Sequence, residues 1–63
     1  MGDNIRAFRK HAGFSQEKLA EKADLHPVYV GQVERGEKAV SVEALSKISA
    51  ALGTSISNLF RGI

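Results

Sequence analysis

Apolar residues recur at helical spacing over residues 16–36, on both sides of one short interruption. The interruption falls at Asp24 and Leu25, where the spacing is lost. Small or apolar residues stand where two crossing helices would touch, and polar residues fill the outward positions. The apolar positions are Leu19, Ala20, Ala23, Val30 and Val33. The pattern therefore predicts a helix, a tight turn and a second helix.

A further helix is predicted before this pair. Asp3 is its candidate N-cap, and the helix is expected to end near Ala12. Ile5, Phe8 and Ala12 would share its apolar face. Gly13 follows and supplies the left-handed residue with which helices often end.

Cap residues indicate where the remaining helices begin and end. Pro27 fits the first position of the third helix, because its missing N–H is harmless there. The expected N-caps are Ser15, His26, Ser41 and Ser55, and the expected terminators are Gly36 and Gly53. The last two helices carry apolar residues at Leu45, Ile48, Leu52, Ile56, Leu59 and Phe60. We therefore predict an all-α fold of five helices without strands, forming one domain over residues 1–63.

Composition limits the class of protein further. The 63 residues suffice for one small domain with a modest core. Nine basic and seven acidic residues give a net charge of +2, which permits contact with nucleic acid without requiring it. There is no cysteine, so disulfides and thiolate metal sites are excluded. No apolar run approaches the roughly 18 residues of a membrane span and no signal peptide is recognisable, so we expect a cytoplasmic protein.

Several segments, taken in order, resemble one known family. The layout of residues 16–36 is typical of a DNA-binding helix-turn-helix, whose second helix lies in the major groove. In these residues the chain resembles the Cro/repressor-type (XRE) family, and the likeness extends from Ile5 to Phe60. The segments that carry it read SQEKLAEKA, VERG and VSVEALSKISAALG, with Leu25 in the turn. The resemblance implies a compact, lambda-repressor-like domain with the helix-turn-helix at about residues 16–36.

The start of the third helix is the candidate base-reading segment, because residues near the N-terminus of a recognition helix reach base edges. Gln32 can pair with adenine through two hydrogen bonds, and Val28 can touch a thymine methyl group. The resemblance places the family's base-reading positions at His26, Pro27, Val28 and Gln32. Pro27 and Val28 stand where the family more often has a polar residue, so readout of DNA shape would have to contribute. The alternative is that Val28 and Tyr29 only pack locally.

Gly31 is unusual inside a predicted helix, where glycine costs about 1 kcal/mol relative to alanine. Close approach of the DNA backbone, of a groove wall or of the neighbouring helix would explain it. The alternative is a residue that the helix simply tolerates.

A second set of residues is expected to contact the DNA backbone. Free N–H groups and the helix dipole at the start of the second helix favour an anion beside Ser15 and Gln16. Arg35 and Lys38 stand at the end of the third helix and would hold the backbone on the other side of the groove, and Tyr29 completes the set. Such contacts supply affinity and register but no sequence information.

The resemblance also implies an ion pair between Arg9 of the first helix and Glu34 near the end of the third. We interpret the pair as structural, since it would tether the recognition helix to the first helix. If the pair is partly buried, losing one partner would cost about 3 kcal/mol, because the other charge stays behind unpaired.

Apolar residues near the C-terminus exceed what a short final helix needs. Ile56, Phe60 and Ile63 are therefore candidates for a dimer interface. Family members often dimerise through this region, and two-fold symmetry would place two recognition helices about 34 Å apart. The alternative is a self-contained core in a monomer.

Catalytic and metal sites are not expected. His11 and His26 are the two histidines, and without cysteines or paired carboxylates nearby they make a poor zinc site. Most serines stand at expected caps, and there is no glycine-rich phosphate loop. The sequence therefore indicates neither an enzyme nor a bound cofactor, and no small-molecule ligand is evident.

The hypothesis from sequence is a bacterial or phage transcriptional regulator that binds double-stranded DNA as a homodimer at a roughly palindromic operator. The segment LHPVYVGQVERGEKAVS most resembles restriction–modification controller proteins, although antitoxins and phage repressors share most of its residues. The alternative class is a protein-interaction module, or an antitoxin-like partner, built on the same fold. The apolar start of the third helix and the low net charge favour that alternative. A piece of a larger regulator with a sensor domain is a third option.

Overall fold

Five α-helices connected by short loops make up the part of the chain that the structure describes. The structure is a computed structural model, and it describes residues 2–61. The helices are α1 (Gly2–His11), α2 (Gln16–Ala23), α3 (Pro27–Glu34), α4 (Val42–Leu52) and α5 (Ile56–Arg61). Residues 2–61 contain no strand. The predicted all-α class and the number of helices are confirmed.

The predicted N-caps are confirmed at four helices. Each cap side chain accepts a hydrogen bond from a backbone N–H in the first turn, which satisfies a donor that has no partner within the helix. The bonds run from Lys18 N–H to Ser15 Oγ at 3.0 Å, from Val28 N–H to His26 Nδ1 at 3.2 Å, from Ala44 N–H to Ser41 Oγ at 3.0 Å and from Asn58 N–H to Ser55 Oγ at 3.1 Å. The starts of α2 to α5 are therefore set by local sequence.

The turn between α2 and α3 depends on a left-handed residue that the sequence did not single out. Asp24 ends α2 with φ 55° and ψ 49°, a conformation in which aspartate is tolerated better than most residues. The Leu25 N–H then donates to the Ala20 carbonyl at 2.8 Å, which closes the end of the helix. This closure fixes the angle at which the chain enters α3.

The start of α1 differs from the prediction. The helix begins at Gly2, so Asp3 is not its N-cap and lies in the first turn, where its charge suits the positive end of the helix dipole. Gly2, the first described residue, lies against the end of α3. A Cβ added to Gly2 would collide with the carbonyl oxygen of Val33 and lie 2.7 Å from that of Glu34.

The end of α1 also differs slightly. The helix stops at His11, and Ala12 is exposed in the following turn instead of completing the apolar face. The Phe14 N–H reaches back to the Arg9 carbonyl at 3.0 Å, and this turn directs Ala12 outward.

The core is formed where α2, α3 and α4 meet, with α1 and α5 closing it from one side. α2 packs against both α3 and α4, and α1 packs against α3 and α5. The Asn4 side chain donates to the Leu59 carbonyl at 2.6 Å and so joins α1 to α5. The buried apolar residues of the core are Ile5, Leu19, Ala20, Ala23, Val30, Val33, Leu45, Ile48 and Leu59. Burial of this surface holds the helix-turn-helix pair as a rigid unit.

None of the helices described over residues 2–61 is long and apolar enough to cross a membrane.

Candidate nucleic-acid interface

The outer face of α3 is the candidate reading surface. Helical spacing places Val28, Gly31, Gln32 and Arg35 on one side of the helix, and Val30 is buried on the other side. Val28 is 59% exposed, which is high for a large apolar residue. The core therefore presents this face of α3 outward.

The predicted base-reading residues lie together at the start of this face. His26 and Val28 are exposed, and Pro27 and Gln32 are half-buried. His26 Nδ1 accepts the Val28 N–H at 3.2 Å, so the ring N–H that can donate outward is the one on Nε2. The cap thus leaves one N–H donor on the exposed side of the histidine.

A shallow hollow lies between the starts of α2 and α3, with Gly31 as its floor. Its volume is about 290 Å³, and it is lined by Gln16, Glu17, Pro27, Val28, Gly31 and Arg35. A Cβ added to Gly31 would lie 3.1 Å from Arg35 Nη1 and 3.4 Å from Gln16 Oε1. The side chains of Arg35 and Gln16 therefore occupy the space next to position 31, and this favours a residue without a side chain there.

Arg35 is held in this hollow by its neighbour Glu37. Arg35 Nε donates to Glu37 Oε2 at 2.8 Å, and Nη2 donates to Oε1 at 3.2 Å. Both side chains are about half exposed. The hydrogen bonds and charge of Arg35 hold the pKa of Glu37 below its ordinary range. The guanidinium is therefore fixed along one edge by a two-point contact.

The resemblance implies an ion pair between Arg9 and Glu34, and these two residues are in direct contact. Arg9 Nε donates to Glu34 Oε2 at 2.7 Å and Nη2 donates to Oε1 at 3.1 Å, while Nη1 donates to the Phe14 carbonyl at 2.8 Å. The Glu34 side chain is fully buried and that of Arg9 is 10% exposed. The two helices α1 and α3 are thus joined by a buried, two-point ion pair.

Two further residues that sequence reasoning did not connect with Glu34 also contact it. Gln16 Nε2 donates to Glu34 Oε1 at 3.1 Å, and Arg6 Nη2 donates to the Glu34 carbonyl at 3.3 Å. Burial by itself raises the pKa of Glu34, but the hydrogen bonds from Arg9 and Gln16 and the charges of Arg9 and Arg6 outweigh it. The pKa of Glu34 is therefore held below its ordinary value. No signal in the sequence distinguishes Arg6 from the other basic residues of α1.

The predicted backbone-contact residues fall into two groups, one on each side of α3. Ser15 and Gln16 stand at the start of α2, next to Arg35. On the other side, Tyr29 and Lys38 line a second hollow of about 420 Å³. The Ser41 N–H donates to the Tyr29 hydroxyl oxygen at 3.1 Å, which leaves the hydroxyl hydrogen available to a further acceptor.

Lys47 of α4 lines the same second hollow and was missed by sequence reasoning. Its Nζ lies 3.7 Å from Glu43 Oε2, four residues earlier on the helix. The sequence offers no cue for its position, because only the packing of α4 brings it near Tyr29 and Lys38.

Two of the predicted dimer residues, Ile56 and Phe60, lie in α5 and not on the outer face of α3. Ile56 packs partly against the core, Phe60 is 64% exposed, and Ile63 is outside the described residues. Val42, which sequence reasoning did not include, is 82% exposed and lines an apolar hollow of about 510 Å³ together with Phe60 and Val40. Apart from Val28, the large apolar side chains that the described part of the chain exposes are therefore Val42 and Phe60.

Within residues 2–61 no three His, Asp or Glu side chains are grouped so that they could hold a metal ion.

Two short helices meeting at a tight turn, with the outer face of the second beside the start of the first, define the class of helix-turn-helix regulators. The sequence profile of the helix-turn-helix family matches residues 5–59, and the chain belongs to this family.

Relatives resemble the chain over most of its length. Control protein C.SmaI of Serratia marcescens is 41% identical over 59 residues, covering 94% of this chain and 70% of that protein. The crystal structure of the restriction-modification controller protein C.AhdI from Aeromonas hydrophila matches with a TM-score of 0.92 at 41% identity, covering 94% of this chain and 89% of that one. The crystal structure of the master regulator for biofilm formation SinR in complex with DNA matches with a TM-score of 0.90 at 37% identity, covering 94% and 95%.

These likenesses confirm the class that the sequence predicted. The chain is a transcriptional regulator of the XRE type with a DNA-binding fold, and it is not an enzyme.

Proposed function

We propose that the protein binds double-stranded DNA as a homodimer, with α3 of each protomer in the major groove of a roughly palindromic operator. The observation that carries the proposal is the position of the outer face of α3 beside the start of α2. Glu34 of α3 holds this position through its hydrogen bonds with Arg9 of α1 and Gln16 of α2. A helix-turn-helix needs this layout to place its second helix in the groove. The solved complex of SinR with DNA, whose fold is closely similar, supports a DNA-binding role.

In this proposal the residues that contact the bases are His26, Pro27, Val28 and Gln32. Gln32 pairs with adenine through its amide, and Val28 contacts a thymine methyl group. His26 Nε2–H donates to an acceptor on a base edge, because Nδ1 is occupied by the cap. Pro27 contributes shape and apolar contact only, so sequence-dependent DNA geometry supplies part of the selectivity.

Backbone contacts come from both sides of α3. Ser15 and Gln16 offer the free N–H groups at the start of α2, and Tyr29 and Lys38 offer a hydroxyl and an ammonium group on the opposite side. The sequence hypothesis adds Arg35 to this set. The two groups lie on either side of the reading helix, as contacts with the two phosphate strands that border one groove require.

The dimer forms through apolar residues of α4 and α5 in this proposal. Ile56 and Phe60 are the described candidates, Ile63 is a candidate from sequence, and the exposure of Val42 extends the surface. Contiguous apolar surface of this kind is commonly buried between subunits.

A more specific role is proposed from the relatives. C.SmaI is named a control protein and C.AhdI a restriction-modification controller protein, so we propose that this chain acts as a controller of the same kind. As a DNA-binding regulator of bacterial or phage type, it would act in the cytoplasm.

Salt dependence tests the DNA-binding proposal. Each phosphate contact releases counterions, so six or more contacts per dimer predict a loss of about 10³-fold in affinity between about 50 and 200 mM salt. The measurement is the fluorescence anisotropy of a labelled duplex titrated with protein. An affinity that does not change with salt would contradict the proposed phosphate contacts.

The exposure of Val28 beside Pro27 favours one other candidate function, a protein-interaction module or antitoxin-like partner. In that case the outer face of α3 would bind an apolar protein surface. The same titration separates the two, because an apolar contact is nearly independent of salt, whereas contacts with phosphates weaken steeply.

A further inference from the structure

We infer that Arg35 reads a guanine in the major groove, with Glu37 as the residue that positions its guanidinium and Gly31 as the position that makes room for it. This inference rests on the proposed function, since it requires α3 to enter the groove. It changes the role that the sequence suggested for Arg35, which was a contact with phosphate.

The first argument is where the Arg35 side chain lies. Arg35 caps the C-terminal end of α3, yet its Nη1 lies 3.1 Å from the ideal Cβ position of Gly31, one turn back along the helix. Arg35 also lines the same hollow as Pro27 and Val28. The side chain therefore folds back over the reading face toward the base-reading segment.

The second argument is which edge of the guanidinium is occupied. The Glu37 carboxylate takes Nε and Nη2, the side edge of the group. The second hydrogen of Nη2 and one hydrogen of Nη1 remain along the end edge of the group, where they form a parallel pair of donors. That pair matches the N7 and O6 acceptors of guanine, for which a bidentate arginine is the commonest specific partner.

The third argument is the fixed orientation of the group. A phosphate accepts hydrogen bonds from many directions, so a backbone contact needs no positioning. A base edge accepts hydrogen bonds from one direction only. Selectivity for one base therefore improves when the paired donors of the guanidinium, its fork, are held in place before binding. The two-point contact with Glu37 holds the Arg35 fork in this way.

The fourth argument is the absence of a side chain at Gly31. Glycine weakens a helix interior, and Gly31 is buried next to the side chains of Arg35 and Gln16. A Cβ at this position would crowd Arg35 Nη1 at 3.1 Å and Gln16 Oε1 at 3.4 Å. An alanine would therefore displace the guanidinium while leaving the helix intact.

Parallel selection of binding sites from random duplex DNA tests the inference. The wild-type protein is expected to enrich a motif with a guanine at one fixed position of each half-site. Arg35→Lys keeps the charge and loses the fork, so enrichment of that guanine should fall about tenfold or more while the rest of the motif remains. Lys38→Ala is the matched comparison, and it should weaken binding to all sequences alike and leave the motif unchanged.

Two further variants separate positioning from simple charge effects. Glu37→Gln removes a negative charge and should lower the preference for guanine, even if affinity for random duplex rises. Gly31→Ala should reduce the same preference, and circular dichroism is expected to show an undiminished helical content. Glu21→Gln is the control for loss of an exposed negative charge, and it should leave the preference for guanine unchanged.

The outcomes distinguish this inference from the function on which it rests. If the wild type enriches a motif and Arg35→Lys weakens all sequences equally, Arg35 contacts phosphate and the inference is wrong. If Glu37→Gln raises affinity uniformly with the guanine preference intact, the positioning role is wrong. If the wild type enriches no motif at all, the proposed function itself fails.

Discussion

Among the individual residues, the buried carboxylate of Glu34 connects three helices. It belongs to α3, accepts two hydrogen bonds from Arg9 of α1 and accepts a third from Gln16 of α2. A buried charge is tolerated only when its partners satisfy it, and here they do. No buried side-chain polar atom in residues 2–61 is without a partner.

Replacing Glu34 with glutamine should destabilise the fold. The substitution leaves the buried Arg9 charge without its partner, and such a loss costs about 3 kcal/mol or more. For a domain of this size the melting temperature should fall by more than about 10 °C, measured by circular dichroism.

Glu43→Gln is the matched control for this substitution. Glu43 pairs with Lys47 on the surface of α4 and its side chain is 83% exposed, so its loss should hardly change the melting temperature. A Glu34→Gln protein as stable as the wild type would mean that the pair does not tether α1 to α3.

The same carboxylate should make stability depend on pH. Because the pKa of Glu34 is lower in the folded protein than in the unfolded chain, its contribution is present above the unfolded pKa of about 4.3. The contribution is lost as the pH falls below that value toward the folded pKa. The measurement is the free energy of unfolding of wild type and Glu34→Gln from neutral to acid pH, in which effects of the other carboxylates largely cancel. The gap between the two proteins should narrow in acid, and a constant gap would refute the assignment.

The partners of Glu34 could be predicted from the sequence only in part. The resemblance supplied Arg9 and Glu34, and the helical pattern supplied the start of α3. The partners Gln16 and Arg6 lie 18 and 28 positions away from Glu34 along the chain. Neither spacing nor composition relates residues that far apart, because only the packing of the helices brings them together.

At the level of secondary-structure elements, the start of α1 is held against the end of α3. Gly2→Ala tests this contact, because two opposing effects predict opposite signs. Helix propensity alone predicts a gain, since alanine forms helices better than glycine. The collision with the Val33 and Glu34 carbonyls predicts a loss of about 1–3 kcal/mol, which we expect to dominate.

Chemical denaturation measures this difference directly. Ala7→Gly, on the exposed side of α1, gives the size of the propensity effect with no collision involved. A Gly2→Ala protein more stable than the wild type would show that α1 and α3 do not meet closely at Gly2.

The elements themselves could largely be predicted from sequence, and the exceptions have a physical cause. The starts of α2 to α5 follow from Pro27 and the cap residues, which act within one turn of the chain. Asp3 looked equally suitable as a cap, but it lies in the first turn of α1. Aspartate is favoured both at the N-cap and in the first turn of a helix, so the residue type alone does not distinguish the two positions.

On the scale of the whole molecule, its size limits how much DNA one protomer can cover. Residues 2–61 form a body of 24 × 22 × 18 Å, shorter in every direction than the roughly 34 Å of one DNA turn. One protomer can therefore occupy only one half-site. The apolar hollow at Val42 and Phe60 extends to Lys38, but Val28, Gly31, Gln32 and Arg35 are not among its lining residues. A second copy bound at Val42 and Phe60 would therefore leave the outer face of α3 open to the groove.

The most direct test of the account is the selection of binding sites by the wild-type protein from random duplex DNA at about 0.1 M salt, where screening is near physiological. We predict an inverted repeat whose two half-sites are centred about one helical turn apart, as two recognition helices related by a two-fold axis require. A single half-site would retain DNA binding and contradict the dimer. Failure of the folded protein to enrich any sequence would contradict the central claim that α3 reads DNA.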